Sequence, residues 1–271
     1  MMPLIKPYVA LFRIRLTNSI QYRVAALAGI ATQFAWGFML ILAFLAFYQS
    51  NPYAFPMTMQ QTVSYIWIQQ AFLYLFILWL FDGSIFESIE KGNIAYDLVR
   101  PMDLYNRWFT TTTANRIAGA ALRCIPVLAV GFILPAPFRL VLPGSLAQLG
   151  LFLLSLILSL CVVVSFAMLI YTSAFFTINS QGTRIMAAVA GDFLAGGTIP
   201  IPFFPDRVRT VVELLPFGSM QNTPLLIFSG SLTGAEIARG LALQVFWVAV
   251  LLLIGRIWMS FALKRVVAQG G

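Results

Sequence analysis

The stretch VAALAGIATQFAWGFMLILAFLAFYQSNPYAFPMTMQQTVSYIWIQQAFLYLFILWLF, residues 24–81, contains no Asp, Glu, Lys or Arg. Crossing the hydrocarbon core takes about 20 apolar residues. The single interruption is the polar, proline-bearing segment Gln49 to Gln61. The stretch therefore predicts two membrane spans, Val24–Tyr48 and Thr62–Phe81. The rest of the 271-residue chain has the same character, 60% hydrophobic and only 10% charged. A soluble domain carries about 25% charged residues, so this composition excludes an ordinary soluble enzyme and a disordered chain.

Four further spans follow. The third, Ile117–Leu134, contains Pro126, a predicted kink. The turn Pro135–Gln148 leads to the fourth, Leu149–Phe176, long enough to tilt. The fifth begins near Ile185 and meets Gly196-Gly197, then Pro200, Pro202 and Pro205; the sixth is Leu241–Leu263. The fold class is thus an all-α polytopic membrane protein with six spans over residues 24–271. Residues 1–23 mix Leu4, Tyr8, Leu11 and Phe12 with basic residues, as an interfacial helix does. No cleavable signal peptide is expected, because basic residues spread over the whole segment before the first span.

The net charge of +8 is read as topology. Lys6, Arg13, Arg15 and Arg23 precede the first span; Lys91, Arg100, Arg107 and Arg116 follow the second; Arg184 lies between the fourth and fifth; Lys264 and Arg265 end the sixth. The alternate loops hold only Arg139, Arg207, Arg209 and Arg239. The positive-inside rule places both termini in the cytoplasm. The basic residues form no single patch, so no nucleic-acid partner is expected.

Two absences narrow the chemistry. Without histidine there is no Ser-His-Asp triad and no His metal site. Cys124 and Cys161 lie in apolar runs and read as packing residues. No G-x-x-x-x-G-K-[ST] loop occurs, so no nucleotide site of that kind is present. Catalytic residues, metal ligands and cofactors are not expected in this chain.

Three regions remain as sites. Residues 82–116, DGSIFESIEKGNIAYDLVRPMDLYNRWFTTTTANR, hold five of the nine acidic residues. Ile85, Phe86 and Ile89 share a helical face while Glu87, Glu90 and Lys91 occupy the others, and Gly92 fits a C-terminal cap. A second short helix is expected over Ile94–Val99, stopped by Pro101. In the outer segment 196–240, Val208, Val211, Val212 and Leu215 fall on one helical face and Arg209 and Glu213 are spaced to pair. A second apolar piece, Thr223–Phe228, is too short to cross, so the pair reads as a re-entrant hairpin shielded by protein. Thr233 and Glu236 have capping-box spacing ahead of the last helix. Finally, Arg123, Asp192 and Arg256 interrupt apolar runs roughly 9–12 Å from the cytoplasmic boundary. Intramembrane charges need partners, so Asp192 is expected to pair with Arg123 or Arg256.

The run Ile89-Glu90-Lys91-Gly92-Asn93-Ile94-Ala95-Tyr96-Asp97-Leu98-Val99-Arg100-Pro101, with the six-span pattern around it, resembles the type-2 class of ATP-binding-cassette exporter permeases, in the viologen-exporter-type bacterial branch. The resemblance implies a permease subunit paired with an identical or related permease. It also implies a separate ATPase subunit, which binds ATP and Mg, docked on a coupling element formed by Ile85, Phe86, Glu87, Ile89, Glu90, Lys91, Gly92, Arg100 and Pro101. It places the chain in a bacterial inner membrane, among lipids. Gln33, Trp36, Gln69 and Gln70, with Asp192, are the candidates for the substrate path. A cationic drug, a lipid or a peptide are each compatible cargoes. An ion-coupled carrier and a non-transporting assembly protein are the alternative functions.

Overall fold

The protein is described by a computed structural model covering residues 5–21, 23–177 and 179–266. Residues 1–4 and Tyr22 of the expected interfacial helix, the side chain of Arg23, and residues 267–271 lie outside the described residues.

The described residues form helices and no strand. Helix α1 (Lys6–Gln21) lies along α7, and the Tyr8 hydroxyl accepts from the backbone of Asp103 at 3.1 Å. Helix α2 (Arg23–Ser50) is the first long apolar helix. Helix α3 (Met59–Ala71) starts with a capping box: Thr58 Oγ1 accepts from Gln61 N and Gln61 Oε1 from Thr58 N. Eleven of its thirteen residues are buried, with Trp67 fully enclosed between α2 and α7. A helix buried nearly all round lies in the centre of a bundle, and α3 sits there although Gln60, Gln61, Thr62, Ser64, Gln69 and Gln70 make almost half of it polar.

The second expected span is not one continuous helix. It breaks at Phe72, resumes as α4 (Leu73–Phe76), and loses helical form from Ile77 to Asp82. The cause is Arg116, which the sequence places in a loop but the structure places, fully buried, in α7 (Leu104–Ile133). Its Nη1 donates to the carbonyls of Tyr74 (3.4 Å), Leu75 (3.3 Å) and Ile77 (2.8 Å), and its Nη2 to that of Leu80 (3.1 Å). The carbonyls freed by the unwound segment find their donors on one guanidinium.

The charged loop is correspondingly shorter than expected. Helices α5 (Gly83–Glu90) and α6 (Ile94–Leu98) precede α7, which begins at Leu104 under an Asp103 cap and so absorbs the last third of residues 82–116. Pro126 lies inside α7 without ending it. Helix α8 (Leu146–Ser173), continued by a 3₁₀ turn over Ala174–Phe176, is capped by Ser145. Helix α9 (Gln181–Ala195) has only 15 residues and ends on Gly196, whose φ of +84° is left-handed and favours glycine. Helix α10 (Asp206–Leu214), a π turn over Gly218–Asn222 and α11 (Thr223–Ser229) come next. Helix α12 (Gly234–Leu263) starts with the Glu236 carboxylate accepting from Thr233 N at 3.2 Å, as the capping-box spacing predicts. Arg209 pairs with Asp206 at 3.0 Å and not with Glu213: the acid one turn back is also the one exposed to it.

Among the described residues, four helices are long and apolar enough to cross a membrane: Leu27–Ser50, Leu104–Ile133, Leu146–Phe176 and Gly234–Leu263. They expose Leu27, Leu42, Phe47, Ile133, Ile157, Leu253 and Phe261, a surface suited to lipid and not to water. The second and fifth expected spans are the short α3–α4 and α9.

Residues 195–230 form the least regular part of the fold, and five glutamines hold its backbone. Gln221 Nε2 donates to Ala195 O (2.9 Å) and Gln69 Nε2 to Gly196 O and Gly197 O (3.2 and 3.3 Å). Gln148 Nε2 reaches Ile227 O (2.7 Å), and Gln61 Nε2 reaches Gly230 O (3.2 Å). Gln244, fully buried on α12, donates to Ser219 O (3.0 Å), Ser155 O and Ser159 Oγ, while its Oε1 accepts from Ser155 Oγ. A buried carbonyl without a donor is costly; here side-chain amides from α3, α8 and α12 replace the missing helical N–H groups. Residues 218–228 are buried as a result, packed against the middle of α8 and α12.

Candidate functional site

The motif-bearing stretch folds as two short helices seated on the ends of α8 and α9. Asp82 caps α5 by accepting from Ser84 N and Oγ (3.0 and 2.6 Å). Ile85 and Phe86 turn inward; the Phe86 ring lies 5.0 Å from that of Tyr171 on α8, and the Tyr171 hydroxyl accepts from Asp82 N at 2.7 Å. Ile89 is half-buried against the same cluster. Glu87 and Lys91 face outward as a 3.5 Å pair, about two-thirds exposed each, which contributes little to stability. Gly92, at φ +74°, ends the helix, as expected of it.

Glu90 has a different position from its neighbours. Its Oε1 accepts from Ser180 N (3.0 Å) and from Ser180 Oγ (2.7 Å), at the N-cap of α9. Those two hydrogen bonds, with the nearby Arg184 and Lys91 charges, hold its carboxyl below the usual glutamate range. Next to it the Arg184 guanidinium lies 4.4 Å over the Phe86 ring. Trp79, Phe81, Glu90, Ser180, Arg184 and Ile185 border an open cavity of about 420 Å³ between the loop and α9.

Helix α6 is anchored by buried Ile94 and by Asp97, which reaches Arg107 Nη2 on α7 at 2.7 Å and Arg100 Nε at 3.7 Å. Tyr96, Leu98, Val99, Arg100 and Pro101 are exposed. Of the nine residues of the expected coupling element, Glu87, Lys91, Gly92, Arg100 and Pro101 form an outer face. Ile85, Phe86 and Ile89 root it, and Glu90 links it to α9.

The three intramembrane charges do not meet. Arg123 donates to Gly119 O on its own helix (3.0 Å) and lies 4.0 Å over the Tyr74 ring. Arg256 reaches toward the start of α7, where its Nη2 donates to Asn106 Oδ1 at 2.7 Å. Arg123 thus leans on a carbonyl and a ring with its buried Nε left unpartnered, Arg256 leans on an amide, and neither forms an ion pair with Asp192. Asp192, half-buried, folds its carboxylate over Gly197, where a side chain would collide with it.

The four path candidates also separate. Gln69 is committed to the carbonyls of Gly196 and Gly197. Gln33 and Gln70 are buried at 3% and 4% exposure, each with its Oε1 unpartnered, and Trp36 is exposed on α2. Arg116 and the glutamines at 61, 148, 221 and 244 were missed by the sequence reading. Among the described residues no cluster of His, Cys, Asp or Glu is able to hold a metal ion.

A family model described as "ABC-2 family transporter protein" matches residues 34–270. No curated protein matches the chain.

Proposed function

The chain belongs to the ABC-2 family of transporter proteins, a family of transmembrane components, and from that premise we propose that it is the permease subunit of an ATP-driven exporter in the bacterial inner membrane. A separate ATP-binding-cassette ATPase docks on the outer face of α5 and α6. Two copies of the permease, identical or related, enclose the path. The chain crosses the bilayer six times with both termini inside; α3–α4 and α9 are the two short crossings, and 206–229 re-enters from the outer face.

The observation that carries this reading is the α5–α6 surface itself. Glu87, Lys91, Tyr96, Leu98, Val99 and Arg100 stand exposed on a mount fixed from behind by Phe86, Tyr171 and the Asp97–Arg107 pair. A free loop absorbs a push, whereas a rooted one passes it on. No nucleotide loop occurs in the sequence, so the energy has to come from a partner. Exposed α2 and α9 faces, with Trp36, Met39, Ile185, Met186, Val189 and Phe193, supply the surface on which the second permease packs. Asp192, Gln33 and Gln70 then lie near the path.

The test is co-purification in mild detergent with the ATPase expressed alongside. Glu87→Lys combined with Val99→Asp should remove the ATPase from the complex while the permease stays in the membrane and keeps its melting temperature. An undiminished ATPase yield would overturn the assignment of this face.

A further inference from the structure

We infer that the Glu90–Ser180 contact is a latch that carries movement of α5 into α9, making α9 the element displaced when the ATPase acts. This rests on the reading of α5 as part of the docking mount and names the next part in the train.

The start of α9 is capped from outside the helix: Asn179 Oδ1 accepts from Gln181 N at 2.8 Å. Ser180 occupies the N-cap, but its own side chain caps nothing. A glutamate at the third helical position, which would accept from the cap N–H in a capping box, is absent: that position is Thr183. Glu90, ninety residues earlier, supplies the acceptor instead, taking both the N–H and the hydroxyl of a serine that is 1% exposed. A carboxylate at a helix N-terminus is also the favourable sign for the helix dipole. The Arg184–Phe86 stacking, one turn further along α9, ties the same two helices a second time.

Elsewhere α9 is lightly held. One long face packs against nothing within the chain, with Ile185, Met186, Val189 and Phe193 exposed, and is the face assigned above to the second permease. At its far end Gln69 and Gln221 hold the carbonyls of residues 195–197. A stiff rod pinned at both ends tilts when one pin moves. The pin on α5 moves with its mount, because α5 is rooted on α8 through Phe86 and Tyr171 and shifts as one piece when pushed, whereas the other pin is set among buried α3 and π-turn residues. The cavity of about 420 Å³ beside the latch leaves room for that displacement.

The experiment uses the permease–ATPase complex in nanodiscs, with Cys124→Ser and Cys161→Ser as background and a single reporter, Gln181→Cys, on the exposed first turn of α9. The readout is the rate of reaction with a soluble maleimide, with and without ATP plus vanadate. In the parent the nucleotide state should change the rate at least threefold. In Glu90→Ala that change should disappear while ATPase co-purification and basal ATP hydrolysis persist. Glu90→Gln, which keeps one acceptor oxygen, should restore part of it. An undiminished nucleotide response in Glu90→Ala would overturn the latch, as would a parent that binds ATPase but shows no response. Failure of the ATPase to co-purify with the parent is a separate outcome, which overturns the permease reading and the latch with it. If Glu90→Ala does not fold, Ser180→Ala replaces it, removing the hydroxyl donor alone.

Discussion

Arg116 is a full charge buried without an acid, and its partners are four backbone carbonyls. Hydrogen bonds to a charged group contribute about 1.5–3 kcal/mol each. Arg116→Ala should therefore destabilise the protein by roughly 3 kcal/mol or more, seen as lost expression or a lower detergent melting temperature. Arg116→Lys keeps the charge but not the planar fork, and should fall between. This role is invisible in the sequence, because carbonyl partners have no letter: Arg116 stands at the end of a charged stretch and reads as one more cytoplasmic cation. Glu90 was legible as part of a docking motif, but its attachment to Ser180 was not, since the two are ninety residues apart. Its pKa is lowered in the native state, so its contribution is present above the usual glutamate value of about 4.3 and is lost as the pH falls through the lowered native one. Glu90→Gln should flatten that acid-side loss of stability, and a pH series of melting curves for the two proteins checks it.

At the scale of elements, long apolar runs were the easy part. Helices α2, α7, α8 and α12 announced themselves by length and hydropathy, whereas α3–α4 was expected to be continuous and α9, which runs into Gly196-Gly197 and three prolines, to be the least regular. Their breaks depend on tertiary partners: a guanidinium for one, a left-handed glycine followed by amide donors for the other. Gly196→Ala would force a Cβ into φ +84°, costing about 1–2 kcal/mol and loosening the α9 terminus. Gln244→Leu would leave the carbonyl of Ser219 and the hydroxyls of Ser155 and Ser159 short of partners deep in the bundle. A buried unsatisfied polar group costs about 1–3 kcal/mol, so its melting temperature should drop where a Gln→Leu change at an exposed site would not lower it. The proposed Asp192 pairing failed for a simple reason: depth along separate helices fixes height but not azimuth, and each arginine had a nearer acceptor on its own side of the bundle.

For the whole molecule, sequence composition alone determined that this is a membrane protein, and the family match agrees with it. The proposed orientation rests on the placement of Lys and Arg. A cysteine replacing exposed Tyr96 in the Cys124→Ser, Cys161→Ser background should react with membrane-permeant maleimide only, in intact cells; labelling by an impermeant reagent would invert the topology. What composition could not convey is which helices lie inside the bundle. Helix α3, buried nearly all round, is less hydrophobic than the lipid-facing ones and would be mistaken for a weaker span on hydropathy alone.

The five glutamines that suture residues 195–230 also set an order of assembly. Three of them, at 61, 69 and 148, are synthesised before that segment and one, Gln244, after it. While the ribosome is still making α12, the carbonyl of Ser219 has the Ser159 hydroxyl as a donor but not the Gln244 amide, which also joins Ser155 to Ser159. The segment therefore closes fully only when α12 arrives, and settles last, as a keystone does. A chain truncated at residue 232 should leave residues 206–222 open to protease in spheroplasts, and co-expressing residues 233–271 as a separate piece should close them again.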